Sequence, residues 1–183
     1  ASEEDVEDIV VEDEAPEDEV IDPDAGALER FKASADIPQG SAFLSLVVLH
    51  EGATPDAGQL ANLPGGLSFA VDAGADDAEA TAAAYRDAGR EVVMIPSLPE
   101  RARPQDVEQA MQANLRAVPE AVAVMDTTGG GFQSDREAVS QVVDAIEASG
   151  HGLITFPRGL NTAHQRAERA GVPRGLIFRD LDA

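Results

Sequence analysis

Six short apolar runs recur along this chain, and nothing else in the sequence restricts its fold as tightly. They cover residues 43–49, 67–71, 91–95, 121–125, 152–156 and 175–178. Their centres lie roughly 22–31 residues apart, about the length of a strand-helix-strand unit. The runs are continuous rather than alternating, as strands covered on both faces should be. Helical patterns with clear punctuation separate most of them. Asp76 and Asp77 precede a helix that Gly89 should end, and Pro104 suits the first turn of a second, carrying Val107, Met111 and Leu115 and closing before Pro119. Ser134-Asp135-Arg136-Glu137 reads as a capping box ahead of Val139, Val142, Val143 and Ile146. Asn161 or Thr162 caps a last helix that runs to Gly171. Residues 54–64 read as a shorter helix or a loop. The pattern predicts an α/β fold with a parallel sheet, either an open doubly wound sheet or a barrel.

Charge divides the chain. The formal net charge is −22, and residues 1–24 hold 13 Asp and Glu with no Lys or Arg. With no aromatic residue and few aliphatic ones, that segment cannot bury enough surface to offset an ordering cost of about 1–2 kcal/mol per residue. It reads as a disordered acidic linker or tail, followed by a connecting segment over 25–41 and the main domain over 42–183. An acidic tail can also dock on basic partners, and the stretch Ile9-Val10-Val11-Glu12-Asp13 can add a strand to a sheet edge. The acidic surplus argues against nucleic acid as a partner. Zero cysteine excludes disulfide scaffolds and thiol chemistry. No apolar stretch is long enough for a membrane span. With neither an initiator Met nor an apolar leader, the chain reads as a mature product or an excised fragment.

In α/β folds ligands sit beyond the carboxyl ends of the strands. Those positions hold His50-Glu51, Asp72, Ser97, Asp126-Thr127-Thr128, Arg158 and Arg179-Asp180. They form a candidate binding cleft, in which Glu51 and Asp126 are the carboxylates suited to base catalysis. His50 and Glu51, with Asp72 and Asp126, can also be drawn as a metal shell, although no second histidine follows at helical spacing. The glycines after Thr128 suggest a phosphate cradle, but without GxGxxG spacing or a following Lys a flexible turn is the better reading. No GxSxG places any serine on a nucleophile elbow. His151 begins a strand, the wrong end for catalysis.

The ordered landmarks SLVVLHEG, LANLPGGLSFAVD, AAAYRDAGREVVMIP, VPEAVAVMDTTGGGFQSDREAV, GHGLITFPRGLNT and AGVPRGLIFRDLD resemble the divergent polysaccharide deacetylases, a branch of the carbohydrate esterase (β/α)-barrel superfamily. The resemblance implies a parallel (β/α) barrel, here possible only in incomplete form because the family pattern continues past the "RDLD" landmark. It also implies hydrolysis of carbon-nitrogen bonds other than peptide bonds, assisted by a divalent metal. The metal-binding words are replaced. His50-Glu51 stands at the family's paired aspartates, Ile95 and Thr127 stand at its two histidines, and Phe156 or Pro157 stands at a further aspartate, while Arg158 is kept. Whether such a chain is an enzyme stays open at this point. The resemblance favours a catalytically degenerate domain without a cofactor that binds glycan or an envelope protein in the bacterial periplasm or cell envelope. The alternative is an active deacetylase of N- or O-acetylated sugars, with a metal such as zinc held by His50, Glu51, Asp72 and Asp126. An incomplete barrel exposes a strand edge, so self-association or a missing segment is expected as well.

Overall fold

A computed structural model describes residues 22–34, 40–42 and 44–181. Six parallel strands, β1 (Leu46–Leu49), β2 (Leu67–Asp72), β3 (Glu91–Ile95), β4 (Ala121–Met125), β5 (Gly152–Thr155) and β6 (Arg174–Leu176), form one sheet in sequential order. The sheet curls into an open half-barrel, an incomplete form of the expected (β/α) barrel. Phe43 and residues 1–21, hence most of the acidic segment, lie outside the described residues.

Helices α3 (Ala78–Asp87), α4 (Pro104–Ala117), α5 (Arg136–Ser149) and α6 (Thr162–Arg169) cover one face. Their apolar stripes close over alternate strand residues such as Phe69, Val71, Val92 and Met94. Val107 and Met111 of α4 and Val142, Val143 and Ile146 of α5 are at most 1% exposed, each burial contributing roughly 1.5–3 kcal/mol. Leu115 lies only partly buried, and the polar Asn114 is the more deeply buried neighbour. Residues 54–64 contain a short helix, α2 (Ala57–Ala61), capped reciprocally by Asp56 and Gln59.

The opposite face carries a smaller cluster of Ala70, Val93, Val122, Ala123 and Met125. Leu28 and Phe31 of a short N-terminal helix, α1 (Ala27–Phe31), pack onto it. This helix lies inside the segment read from sequence as a connector. Leu28 N–H donates to Gly150 C=O at 2.9 Å, and Arg86 donates to Phe31 C=O at 2.8 Å. Gly150 combines a φ of +69° with close approach to Gly26, so a side chain there would strike backbone at 2.4 Å.

Two details differ from the sequence reading. The cap of α5 is Asp135, which accepts from Glu137 and Ala138 N–H. Ser134 closes a 3₁₀ turn (Phe132–Ser134) and donates to Gly130 C=O instead, because that turn carries it off the helix axis. The strands are also unevenly covered: every residue of β4 is buried, whereas Leu46, Val48 and Leu49 of β1 and Leu176 of β6 are exposed. Both outer strands are edges, so neither gains the cover that a closed barrel would give.

Candidate functional site

The carboxyl ends of β2, β3 and β4 open onto a cavity of about 610 Å³. Asp72 enters it from the end of β2. Ile95 and the 96–102 loop form one wall, and Thr127, Gly130, Gly131 and Phe132 form the other, with Ser134, Asp135 and Ala138 alongside. Ser97 is fixed by Asn114 of α4, whose side chain accepts from Ser97 N–H at 3.3 Å and donates to its C=O at 3.0 Å. A buried amide on a helix thus extends the ladder past the end of β3. Arg101, on the rim, adopts a left-handed φ of 53°, a conformation that costs an ordinary residue about 1–2 kcal/mol.

Asp126 organises the opposite wall from beneath. It is 1% exposed. One carboxylate oxygen accepts from Thr127 N–H at 2.8 Å and Phe132 N–H at 3.2 Å, and the other from Gln133 N–H at 3.0 Å. Burial pushes its pKa above the ordinary carboxylate value, against the opposing pull of these three amides and the Arg158 charge. Thr127 Oγ1 accepts from Gly131 N–H at 3.0 Å. The glycine-rich loop therefore turns its amides inward, onto Asp126 and Thr127, instead of presenting them to a phosphate. Glycine is required at 130, where φ is +86° and a side chain would meet the Arg158 guanidinium at 2.9 Å.

Gln133 ties this loop to the next. Its amide accepts from Phe156 N–H at 2.9 Å and donates to Phe156 C=O and Asn161 Oδ1, each at 3.1 Å. Asn161 in turn caps α6 and donates to Thr155 Oγ1 at 3.2 Å. Thr155 also meets His164 Nδ1 at 3.3 Å, and Arg174 donates to His164 Nε2 at 3.1 Å. An arginine cannot accept, so His164 Nε2 is the acceptor in that contact.

The predicted cleft residues are only partly brought together. Asp72 and Thr127 line the cavity; Asp126 lies behind its wall, and Arg158 lies beyond Gly130 with its guanidinium over the Phe156 ring at 5.9 Å. His50 turns to the helix-covered face, where Nδ1 meets Tyr85 Oη at 3.0 Å and the ring packs edge-on to that tyrosine. Tyr85 stacks on Phe69, and burial raises its pKa. Nε2 of His50 is buried with no partner among the described residues. Glu51, Thr128, Arg179 and Asp180 are exposed and line no part of the cavity. Among the described residues no group of three or more His, Asp or Glu gathers as a metal would require. Sequence reasoning missed the roles of Asn114, Gln133 and Arg101. A polar residue on the apolar stripe of α4 was the only signal for Asn114; Gln133 and Arg101 gave none.

Comparison with known proteins adds two findings. The half-barrel resembles the crystal structure of an uncharacterized protein, ATU2773, from Agrobacterium tumefaciens C58. The TM-score is 0.64 at 16% sequence identity, over 86% of this chain and 71% of that one, a likeness that speaks for the fold alone. No curated protein matches the sequence significantly. The family model of the divergent polysaccharide deacetylases matches residues 52–183, well over half of the chain. The landmarks at the strand ends and the curled parallel sheet agree with it, and the chain belongs to the divergent polysaccharide deacetylase family.

Proposed function

We propose that this domain has given up hydrolysis and binds glycan in the cavity at the ends of β2, β3 and β4, in the bacterial periplasm or cell envelope. One observation carries the reading: the cavity lies where an α/β fold places its ligands, yet the side chains that a metal would need are engaged elsewhere. A zinc-like ion takes about four ligands near 2.0–2.2 Å. Both oxygens of Asp126 already accept backbone N–H groups, the His50 ring is held by Tyr85, and Ile95 and Thr127 offer no imidazole. The residues present do not fit the divalent metal that the family implies.

The cavity suits a sugar better than a protein surface. It is concave, and it mixes hydroxyls (Ser97, Thr127, Ser134), carboxylates (Asp72, Glu100, Asp135) and an arginine (Arg101) with the apolar Ile95, Leu98 and Phe132. Polar groups at fixed positions on an apolar floor are what a polyhydroxylated ring with one hydrophobic face requires. The test is a calorimetric titration with N-acetylated and de-N-acetylated glucosamine oligomers, alongside acetate release with and without chelator. Saturable binding that Ser97→Trp abolishes, without acetate release, is the expected result. Chelator-sensitive acetate release would overturn the reading in favour of an active deacetylase with a rebuilt site.

A further inference from the structure

We propose that the sugar held at the ends of β2, β3 and β4 is one whose amine is free, a cationic de-N-acetylated hexosamine, and that the cavity discriminates against its acetylated form. This rests on the glycan reading and names the substrate class within it. Two separate features of the cavity point the same way, its charge and its supply of hydrogen-bond donors.

Each of the three strand ends contributes one carboxylate. Asp72 closes β2, Glu100 stands in the loop after β3, and Asp135 follows the 3₁₀ turn after β4. Backbone amides orient two of them through a single oxygen. Asp72 Oδ1 accepts from Gly74 N–H at 2.8 Å, and Asp135 Oδ1 accepts from Glu137 and Ala138 N–H at 2.8 and 3.2 Å. Among the described residues, nothing donates to the second oxygen of either, and none of the three carboxylates forms an ion pair. One cation lines the cavity against them, Arg101 on the rim. Arg158 lies beyond Gly130, over the Phe156 ring. A cleft dominated by one sign of charge concentrates ligands of the other sign, and the chain's net charge of −22 adds to that field. An ammonium group, with three donors and no acceptor, fits such a lining.

An acetamido group asks for the opposite. Its carbonyl needs a donor, and taking it out of water without one forfeits the hydrogen bonds that it had there. The wall after β4 has no backbone donor left to give. Thr127 and Phe132 N–H donate to Asp126, and Gly131 N–H to Thr127 Oγ1. Gly130 N–H donates to Thr127 C=O, Ser134 N–H to Gly131 C=O and Asp135 N–H to Phe132 C=O. The Ser134 hydroxyl is spent on Gly130 C=O. Across the cavity, Ser97 N–H is taken by Asn114. With these donors consumed, the polar lining consists chiefly of acceptors: three carboxylates and the hydroxyl oxygens of Ser97, Thr127 and Ser134. The same internal bonding that shapes the glycine-rich loop thus decides which nitrogen substituent the cavity tolerates.

The test is calorimetric titration of the full chain with glucosamine and N-acetylglucosamine oligomers of equal length, at about pH 6, where an amine keeps its proton. The free-amine oligomer should bind at least about fivefold more tightly, and the margin should narrow as salt rises from about 50 to 500 mM. In the double variant Asp72→Asn, Glu100→Gln the margin should fall to within about twofold. A second double variant, Asp87→Asn with Glu147→Gln, removes the same charge at the carboxyl ends of α3 and α5, away from the cavity. It should keep the margin, which separates the cavity from a general attraction between a polycation and an acidic chain. Far-ultraviolet circular dichroism checks that both variants fold, and the comparison of the two oligomers on the unaltered chain stands without them. Equal or tighter binding of the acetylated oligomer would overturn the proposal and leave the glycan reading standing. A margin that survives the cavity variant, or that falls as far in the remote one, would do the same. Binding of neither oligomer would overturn both.

Discussion

Acidifying this protein from about pH 8 to about pH 5 should cost it close to 2 kcal/mol through a single buried imidazole, that of His151. The ring is 5% exposed just ahead of β5; Nδ1 meets Ser149 Oγ at 2.8 Å, and Nε2 is buried without a partner among the described residues. Burial lowers its pKa from 6.5 to about 4. The folded pKa lies below the unfolded one, so the unfolded chain takes up the proton first. Stability is therefore full above pH 6.5, falls as the pH drops toward about 4, and levels off below that. At about 1.4 kcal/mol per pH unit across the window, the loss is ~2 kcal/mol by pH 5 and ~3 kcal/mol at the plateau. Asp126 opposes it: its raised pKa makes the folded state hold a proton more readily, which stabilises at pH just above the ordinary carboxylate value. The control for this and for the many other carboxylates is His151→Asn, whose amide keeps a partner for Ser149. Urea unfolding followed by far-ultraviolet circular dichroism is the assay, since the chain has no tryptophan. The stability difference between the two proteins should shift by about 2 kcal/mol from pH 8 to pH 5. Parallel pH profiles would refute the reasoning.

Other perturbations test the site and its supports. Asp126→Ala strands three inward-facing N–H groups and should destabilise by about 2–4 kcal/mol in urea melts, with loss of amide protection at Phe132 and Gln133. Gln133→Ala should cost about 1–2 kcal/mol and speed exchange at the Phe156 amide, because it unties the two loops. Gly150→Ala forces a left-handed residue into the Gly26 backbone; a loss of more than about 2 kcal/mol and exchange of the α1 amides at the free rate are expected. Arg101→Gly should raise stability by about 0.5–1 kcal/mol by relieving the left-handed φ, while weakening glycan binding in the calorimeter.

Much of the scaffold was legible in the sequence because it rests on local signals. Apolar runs at βαβ spacing, Pro104 at a helix start, Asn161 at a cap and Gly89 at a helix end each act within a few residues of where they stand. The sequential strand order did not follow from that rhythm, which fits a doubly wound sheet and a barrel alike; the family resemblance pointed to it, and the sheet has it. The site was less legible. His50 and Asp72 both stand at strand ends, yet the pleat sends one toward Tyr85 and the other into the cavity. One residue of register decides which face a side chain takes. The loop after Asp126 read as a flexible turn in preference to a phosphate cradle, and nothing local announced that its amides point at the aspartate itself.

By itself the sequence determined the α/β class, the succession along the chain and approximate extent of the strands and helices, and the concentration of acidic residues in the first 24 positions. These depend on composition, periodicity and identity, which the chain carries locally. Only the tertiary structure decided that Asp126 supports a wall instead of facing a ligand, that Asn114 and Gln133 hold the strand-end loops, and that α1 packs on the smaller apolar face of the sheet. Each of these joins residues apart in sequence, from 7 positions for Asp126 and Gln133 through 17 for Ser97 and Asn114 to 28 for Gln133 and Asn161. Such partnerships are set by how the sheet curls and where its helices pack.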